Sequence, residues 1–200
     1  MVSNNIKNPE SSEQELVSRL KEGQQEAYRQ LIRRYQSKLI NIAYGITLDR
    51  EESMDIVQDV FLKVYKNIRS FEGKSKLITW IYRITINESL NWQRRWKRRF
   101  RWQHDSIENE DLGNRDLLMK DEFGPEEIYR KKELEKILNQ ELNKLSKDVR
   151  AILILKELEG LSYDEIAKLM GINKGTVSSR LFYAREKLKQ SLLEVLDKED

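Results

Sequence analysis

Apolar residues recur along this chain at steps of three and four, and no stretch alternates apolar with polar positions over a strand's length. The pattern predicts helices from end to end. Ser12 with Glu15 makes a capping-box signal ahead of Leu16, Val17 and Leu20, and Gly23 closes that helix. A second helix is predicted from about Gln24 to Gly45. Its apolar positions are Ala27, Tyr28, Leu31, Ile32, Tyr35, Leu39, Ile42 and Ile46. Asp49 caps a third helix through Ile68, with Val57, Val60, Phe61, Val64 and Ile68 as its buried stripe. The segment RSFEGKSK (69–76) breaks the pattern around Gly73, and a fourth helix starts near Leu77.

Beyond a break, Pro125 follows Gly124 and suits the first position of a helix that runs through Leu145. Ser146 caps the next one, which buries Val149, Ile152, Leu153 and Leu155 and ends at Gly160. Ser162 and Glu165 form a capping box for a short helix. Ala167 is small enough to let a second helix cross closely, Gly171 supplies a turn, and Asn173 caps the last helix. On that helix Val177, Leu181, Ala184 and Leu188 face inward. Ser178, Ser179, Phe182, Tyr183 and Arg185 are left outside, with Lys174, Thr176 and Arg180 beside them. A short helix, a tight turn and a longer helix with small polar first turns describe a helix-turn-helix. The alternative is a plain helical hairpin, against which the spacing of Ala167, Gly171 and Val177 argues.

Charge divides the chain. Residues 1–102 hold 20 Lys/Arg against 12 Asp/Glu, residues 103–128 hold 2 against 9, and residues 129–200 hold 15 against 13. The overall net charge of +3 therefore conceals two basic segments around an acidic one. Blocks of this kind mark linkers between modules. The expected fold class is all-α, with two small helical domains joined by an acidic linker. The expected layout is an N-terminal segment with a short helix (1–23), a helical bundle (24–102), the linker (103–128) and a helix-turn-helix domain (129–200). A surface loop of that length inside one domain is the weaker alternative.

Composition removes several function classes. There is no cysteine and only one histidine, His104, so neither a thiolate metal site nor a triad can be assembled. No glycine-rich phosphate loop appears, nor any nucleophile with a base. The expectation is no enzyme, no cofactor, no metal and no small-molecule substrate. No apolar run approaches ~18 residues, and the polar N-terminus has no signal-peptide core. The expectation is a cytoplasmic protein without direct membrane insertion.

Two surfaces carry candidate chemistry besides the last helix. The fourth helix leads into NWQRRWKRRFRW, with six Lys/Arg between 94 and 101 interleaved with Trp92, Trp96, Phe100 and Trp102. Basic side chains hold phosphates without reading sequence. Aromatic ones stack on unpaired bases. Arg94, Arg95, Arg98 and Arg99 are the candidate backbone contacts; a packed amphipathic helix or a membrane-surface helix is the competing explanation. On the third helix Asp55, Gln58, Asp59 and Leu62 share one face. A solvated face and a protein-docking face fit that spacing equally.

Three blocks, in this order, resemble the compact extracytoplasmic-function group of bacterial RNA polymerase sigma factors. They are DIVQDVFLKVY (55–65), SFEGKSKLITWIYRITINESLN (70–91) and LSYDEIAKLMGINKGTVSSRLFYAREKL (161–188). The resemblance implies that 24–102 and 129–200 are the family's regions 2 and 4. It implies that Asp55, Gln58, Asp59 and Leu62 dock on the clamp of the polymerase's largest subunit, with the second domain near its flap region. It implies a pocket for an unpaired base of the −10 element at Phe71, Gly73, Lys74, Ser75 and Asn87, with Trp80 and Arg83 alongside. The −35 duplex would meet Lys174, Thr176, Ser178, Ser179, Arg180, Phe182, Tyr183 and Arg185. Promoter DNA, core polymerase and an anti-sigma factor are the partners implied. The chain departs from relatives in having Ser178 and Tyr183 where basic residues are frequent, and Ile81 after Trp80 where housekeeping members have a second tryptophan. A helix-turn-helix regulator with a sensory domain and an RNA-binding helical protein are the other classes that the residues admit.

Overall fold

In the computed structural model the described residues are 9–99 and 136–196. The acidic linker (103–128), His104 and the helix start at Pro125 lie outside them. Every regular element within them is helical. These are α1 (Pro9–Lys21), α2 (Gln25–Thr47), α3 (Arg50–Asn67), a 3-10 turn (Ile68–Ser70) and α4 (Leu77–Arg99). Then come α5, described over 136–143, α6 (Lys147–Glu157), α7 (Tyr163–Met170) and α8 (Lys174–Leu196).

Helices α2, α3 and α4 pack pairwise, and α1 lies across α2 and the 3-10 turn. The stripe read from α2 buries Ala27, Leu31, Tyr35, Leu39, Ile42 and Ile46. Asp49 caps α3, its side chain accepting from the Glu52 N–H at 2.8 Å. Ser146 caps α6 in the same way through Val149, at 3.4 Å. Helix α1 starts at Pro9, so Ser12 sits inside it and not at its cap. Proline at the first helical position leaves no orphan N–H there.

Gly45 does not end α2. The helix continues to Thr47 and stops at Leu48, whose φ of 59° is left-handed. Glycine usually fills that position. Leu48 occupies it with its side chain buried, and its N–H closes on Tyr44 O at 2.7 Å. Gly45 has another role: a Cβ built there would lie 2.4 Å from Ile154 Cγ1 of α6. Its missing side chain lets α2 and α6 approach closely.

The N-terminal and C-terminal helices thus share a seam, built on α2 and α6. Arg150 of α6, only 4% exposed, is the polar centre of it. Its Nε and Nη2 donate to Ile46 O at 3.0 and 2.7 Å. Its Nη1 donates to Leu142 O at 3.0 Å and Leu145 O at 3.1 Å. The Ile46 carbonyl ends α2, and those of Leu142 and Leu145 lie at and just past the end of α5, where helix carbonyls run out of intrahelical donors; Leu142 O also accepts from the Leu145 N–H at 3.0 Å. A cation is favoured there by the helix dipoles as well. At the rim, Tyr82 donates its hydroxyl to the Glu159 carboxylate, and Asn139 Nδ2 donates to Tyr44 Oη at 3.1 Å. Burial first, and the Glu159 contact second, push the Tyr82 hydroxyl far above its ordinary pKa, so it stays a donor.

Candidate nucleic-acid and protein interfaces

The helix-turn-helix forms as the spacing predicts. Ser162 Oγ accepts from Glu165 N at 3.3 Å while Glu165 Oε2 accepts from Ser162 N at 2.8 Å, the reciprocal pair of a capping box. The Ser162 hydroxyl, donating to Glu165 Oε2 at 2.7 Å, and after it the Ser162 N–H hold the Glu165 carboxyl below its usual range. Its folded value being depressed, the box is intact at neutral pH and is lost only as pH falls through the carboxylate range. Gly171, at φ 66°, ends α7. Val177, Leu181 and Ala184 are buried against α6 and α7. The opposite side of α8 is therefore fixed outward: Ser178 and Ser179 are exposed, Phe182 is 70% exposed and Tyr183 51%.

The remaining members of that set are more constrained. Thr176 and Arg180 are half-buried. The Ser179 hydroxyl turns back to donate to Thr176 O at 3.2 Å, which leaves it an acceptor toward any ligand. Lys187 lies over the Tyr183 ring, 6.0 Å from its centroid. Lys174 Nζ donates to Asp164 at 2.7 Å. Arg185 donates through Nε at 3.0 Å and Nη2 at 2.6 Å to a single oxygen of Glu157. That carboxylate pushes the guanidinium's pKa up further. Asp164 and Glu157 did not figure in the sequence reading, and no local spacing links either to its cation.

The second candidate surface is split. Phe71 is buried and its ring packs on Trp80 at 5.3 Å, so it forms a wall beneath the loop. Glu72 to Lys76 are exposed around Gly73 at φ 73°, and Lys74 pairs with Glu72. On α4, Trp80 is half-buried and Asn87 exposed. Arg83, on the same face, donates through Nη2 to Lys168 O of α7 at 2.9 Å. Arg94, Arg95, Arg98 and Arg99 sit on the last turns of α4, but their side chains lie outside the described residues.

The third surface gains lining from α2. Asp55, Gln58 and Leu62 border a groove of about 750 Å³ between α2 and α3; Asp59 is half-buried beside it. Tyr28 and Ile32 of α2 and Met54 and Tyr65 of α3 complete its apolar wall. Ile32, read as core from its place in the stripe, is 37% exposed, and Leu62 is 50% exposed. The Tyr28 and Tyr65 rings stand 5.0 Å apart.

Comparison with known proteins agrees with this geometry. Residues 31–99 match the family model of sigma-70 region 2, and residues 135–188 that of sigma-70 region 4. The chain is 34% identical over 187 residues to the RNA polymerase sigma-H factor of Pseudomonas aeruginosa, covering 94% of this chain and 97% of that one. It is 36% identical to the ECF RNA polymerase sigma-E factor of Haemophilus influenzae, covering 90% and 95%. Among solved structures, the sigma factor RpoE of Bartonella quintana, in complex with the anti-sigma factor NepR, aligns with a TM-score of 0.61. It is 26% identical and covers 82% of this chain and 96% of that one. CnrH, in complex with the cytosolic domain of CnrY, shares the fold with a TM-score of 0.62 at 22% identity, covering 94% and 99%.

Proposed function

The chain belongs to the sigma-70 family as a sigma factor of the extracytoplasmic-function type, which directs RNA polymerase to promoters, and from that premise we propose how its surfaces divide the work. Helix α8 reads the −35 element as duplex. The loop around Gly73, with Asn87, holds an unpaired base of the −10 non-template strand and promotes melting. The groove bordered by Asp55, Gln58 and Leu62 docks on the clamp of the polymerase's largest subunit. An anti-sigma factor restrains the protein in the cytoplasm. The reading rests on one observation above the others: α8 buries Val177, Leu181 and Ala184 and so turns Ser178 and Phe182 outward.

Physical chemistry supports each part. The first turns of α8 set Gly175, Thr176 and the two serines beside the long Lys174, so the backbone can approach a major groove closely while hydroxyls and an ammonium reach base edges. A base leaves the stack only where its edge finds hydrogen bonds, and Asn87 offers both a donor and an acceptor. The decisive test is to mix the purified chain with core RNA polymerase and score transcription from a selected promoter. Initiation at that promoter alone supports this division of the surfaces; no promoter-specific initiation would overturn it.

Two substitutions test the surfaces separately. Leu62→Glu places a carboxylate in the apolar groove and is expected to weaken co-elution with core polymerase by about 2 kcal/mol. The far-ultraviolet circular dichroism should be unchanged, because Leu62 is half exposed. Ser178→Arg exchanges a single tolerant hydroxyl for a fork that suits guanine. It should shift −35 preference toward a guanine by roughly 1–3 kcal/mol. Site selection from a random library, run on both proteins, reads the shift, and identical selected sites would mean that Ser178 does not face the bases.

A further inference from the structure

We infer that Glu157 is a positioning residue for DNA recognition: it holds the Arg185 guanidinium in one orientation beside α8, and sequence discrimination depends on that orientation. The inference rests on the proposed reading of α8 as a duplex-reading helix. Nothing in the sequence reading involved Glu157, which comes from the end of another helix.

The structural reasons to keep this pair are weak. Both partners are 47% exposed, and half-exposed ion pairs add little to stability. Glu157 is the last residue of α6, where a helix dipole disfavours a carboxylate. For affinity alone it is also a poor choice: with α8 on the duplex, Arg185 is taken as a phosphate contact, and Glu157 sets a negative charge beside it. What the pair does supply is geometry. Nε and Nη2 converge on one oxygen, which fixes the plane of the fork, and Tyr163 flanks it. Arginine has five N–H donors, so a guanidinium tethered by two of them still presents others to a ligand. Phosphate contacts set the register of a protein on its duplex. Arg185 lies close along the chain to Phe182 and within two turns of Ser178, which that register must deliver to the base edges. A guanidinium free to swing would hold phosphates as well in several registers as in one.

The test measures binding of the full chain to two duplexes, the sequence that it selects from a random library and a scrambled sequence of equal length. Glu157→Gln should tighten the scrambled duplex but not the selected one. The ratio of affinities then falls by about threefold or more, because a loosened register weakens the base contacts that it positions. Glu157→Asp keeps the charge and shortens the reach. It should lower the ratio too, with scrambled binding unchanged. Glu186→Gln removes an exposed charge next to Arg185 and should tighten both duplexes together. Thermal midpoints of all variants should match the parent, a purely structural tie being one that moves the midpoint and not the ratio. If Glu157→Gln behaves like Glu186→Gln, or Glu157→Asp keeps the parent's ratio, the carboxylate acts through charge alone and the inference is overturned while the reading of α8 stands. If the parent selects no sequence at all, that reading falls and this inference with it.

Discussion

Arg150→Met is expected to lower the free energy of unfolding by about 3–5 kcal/mol, the largest loss from any single substitution considered for this protein. Methionine matches much of the arginine stem, so packing is nearly kept. The loss is in the polar contacts. Arg150 makes four hydrogen bonds to three carbonyls, those of Ile46, Leu142 and Leu145. Leu142 O keeps the Leu145 N–H, but the carbonyls of Ile46 and Leu145, at and just past helix ends, lose the donor that completes them. A buried acceptor left unsatisfied costs about 1–3 kcal/mol. Burial lowers the guanidinium's pKa, but from a value so high that it stays charged at neutral pH, and its charge faces two helix C-termini. Arg150→Lys should recover only part of the loss, since an ammonium cannot fork across carbonyls from two helices. Urea unfolding followed by circular dichroism measures both. A loss under about 1 kcal/mol for methionine would mean that water takes over the carbonyls and that the seam is open to solvent.

Gly45→Val should destabilise by about 3 kcal/mol, in spite of removing a glycine from a helix interior. Taking glycine out of a helix gains at most about 1 kcal/mol, and valine returns part of that through its stiff χ1. Against it stands overpacking, usually about 1–3 kcal/mol and sometimes more. Here even the first added carbon would sit 2.4 Å from Ile154 Cγ1 and 2.6 Å from Cδ1. Ile154 is β-branched and buried, so it has no other well to move into. The double variant Gly45→Val with Ile154→Ala moves the same three carbons from one helix to the other. It should be more stable than the sum of the single losses by about 1–3 kcal/mol. Strict additivity in a double-mutant cycle would show that the two positions do not meet.

Much of this was legible in the sequence, and the failures have physical causes. Caps are local events, so Asp49, Ser146 and the Ser162–Glu165 box could be read within four residues of where they act. The buried side of α8 follows from its own periodicity, and with it the exposed side that carries Ser178 and Phe182. The role of Gly45 was not legible, because a glycine that stops a helix and one that admits a neighbour look the same in one dimension. The exposure of Ile32 and the burial of Phe71 were not legible for a related reason. Periodicity says which side of a helix is apolar but not how far the neighbouring helix covers it, and a loop aromatic gives no sign of which way it turns. Glu157 and Asp164 each act on a cation 28 and 10 residues away, beyond any local pattern. The same holds for Arg83, whose hydrogen bond to Lys168 O spans 85 positions.

The seam between α2 and α6 also bears on the order in which this protein can fold. Most of α2 leans on α3 and α4, neighbours that follow it closely along the chain. Its final turn meets α3 through Thr47 and Ser53 but needs α6 as well. The carbonyl of Ile46 is completed by a side chain 104 residues further on, and Gly45 waits for Ile154 to fill the space beside it. Closing so long a loop is slow compared with forming a helical hairpin. A glycine one turn from the end weakens that turn in the meantime. Helix α2 is continuous in the native protein, but its last turn is completed only when α6 arrives, so the N-terminal helices are expected to form with that turn unfinished.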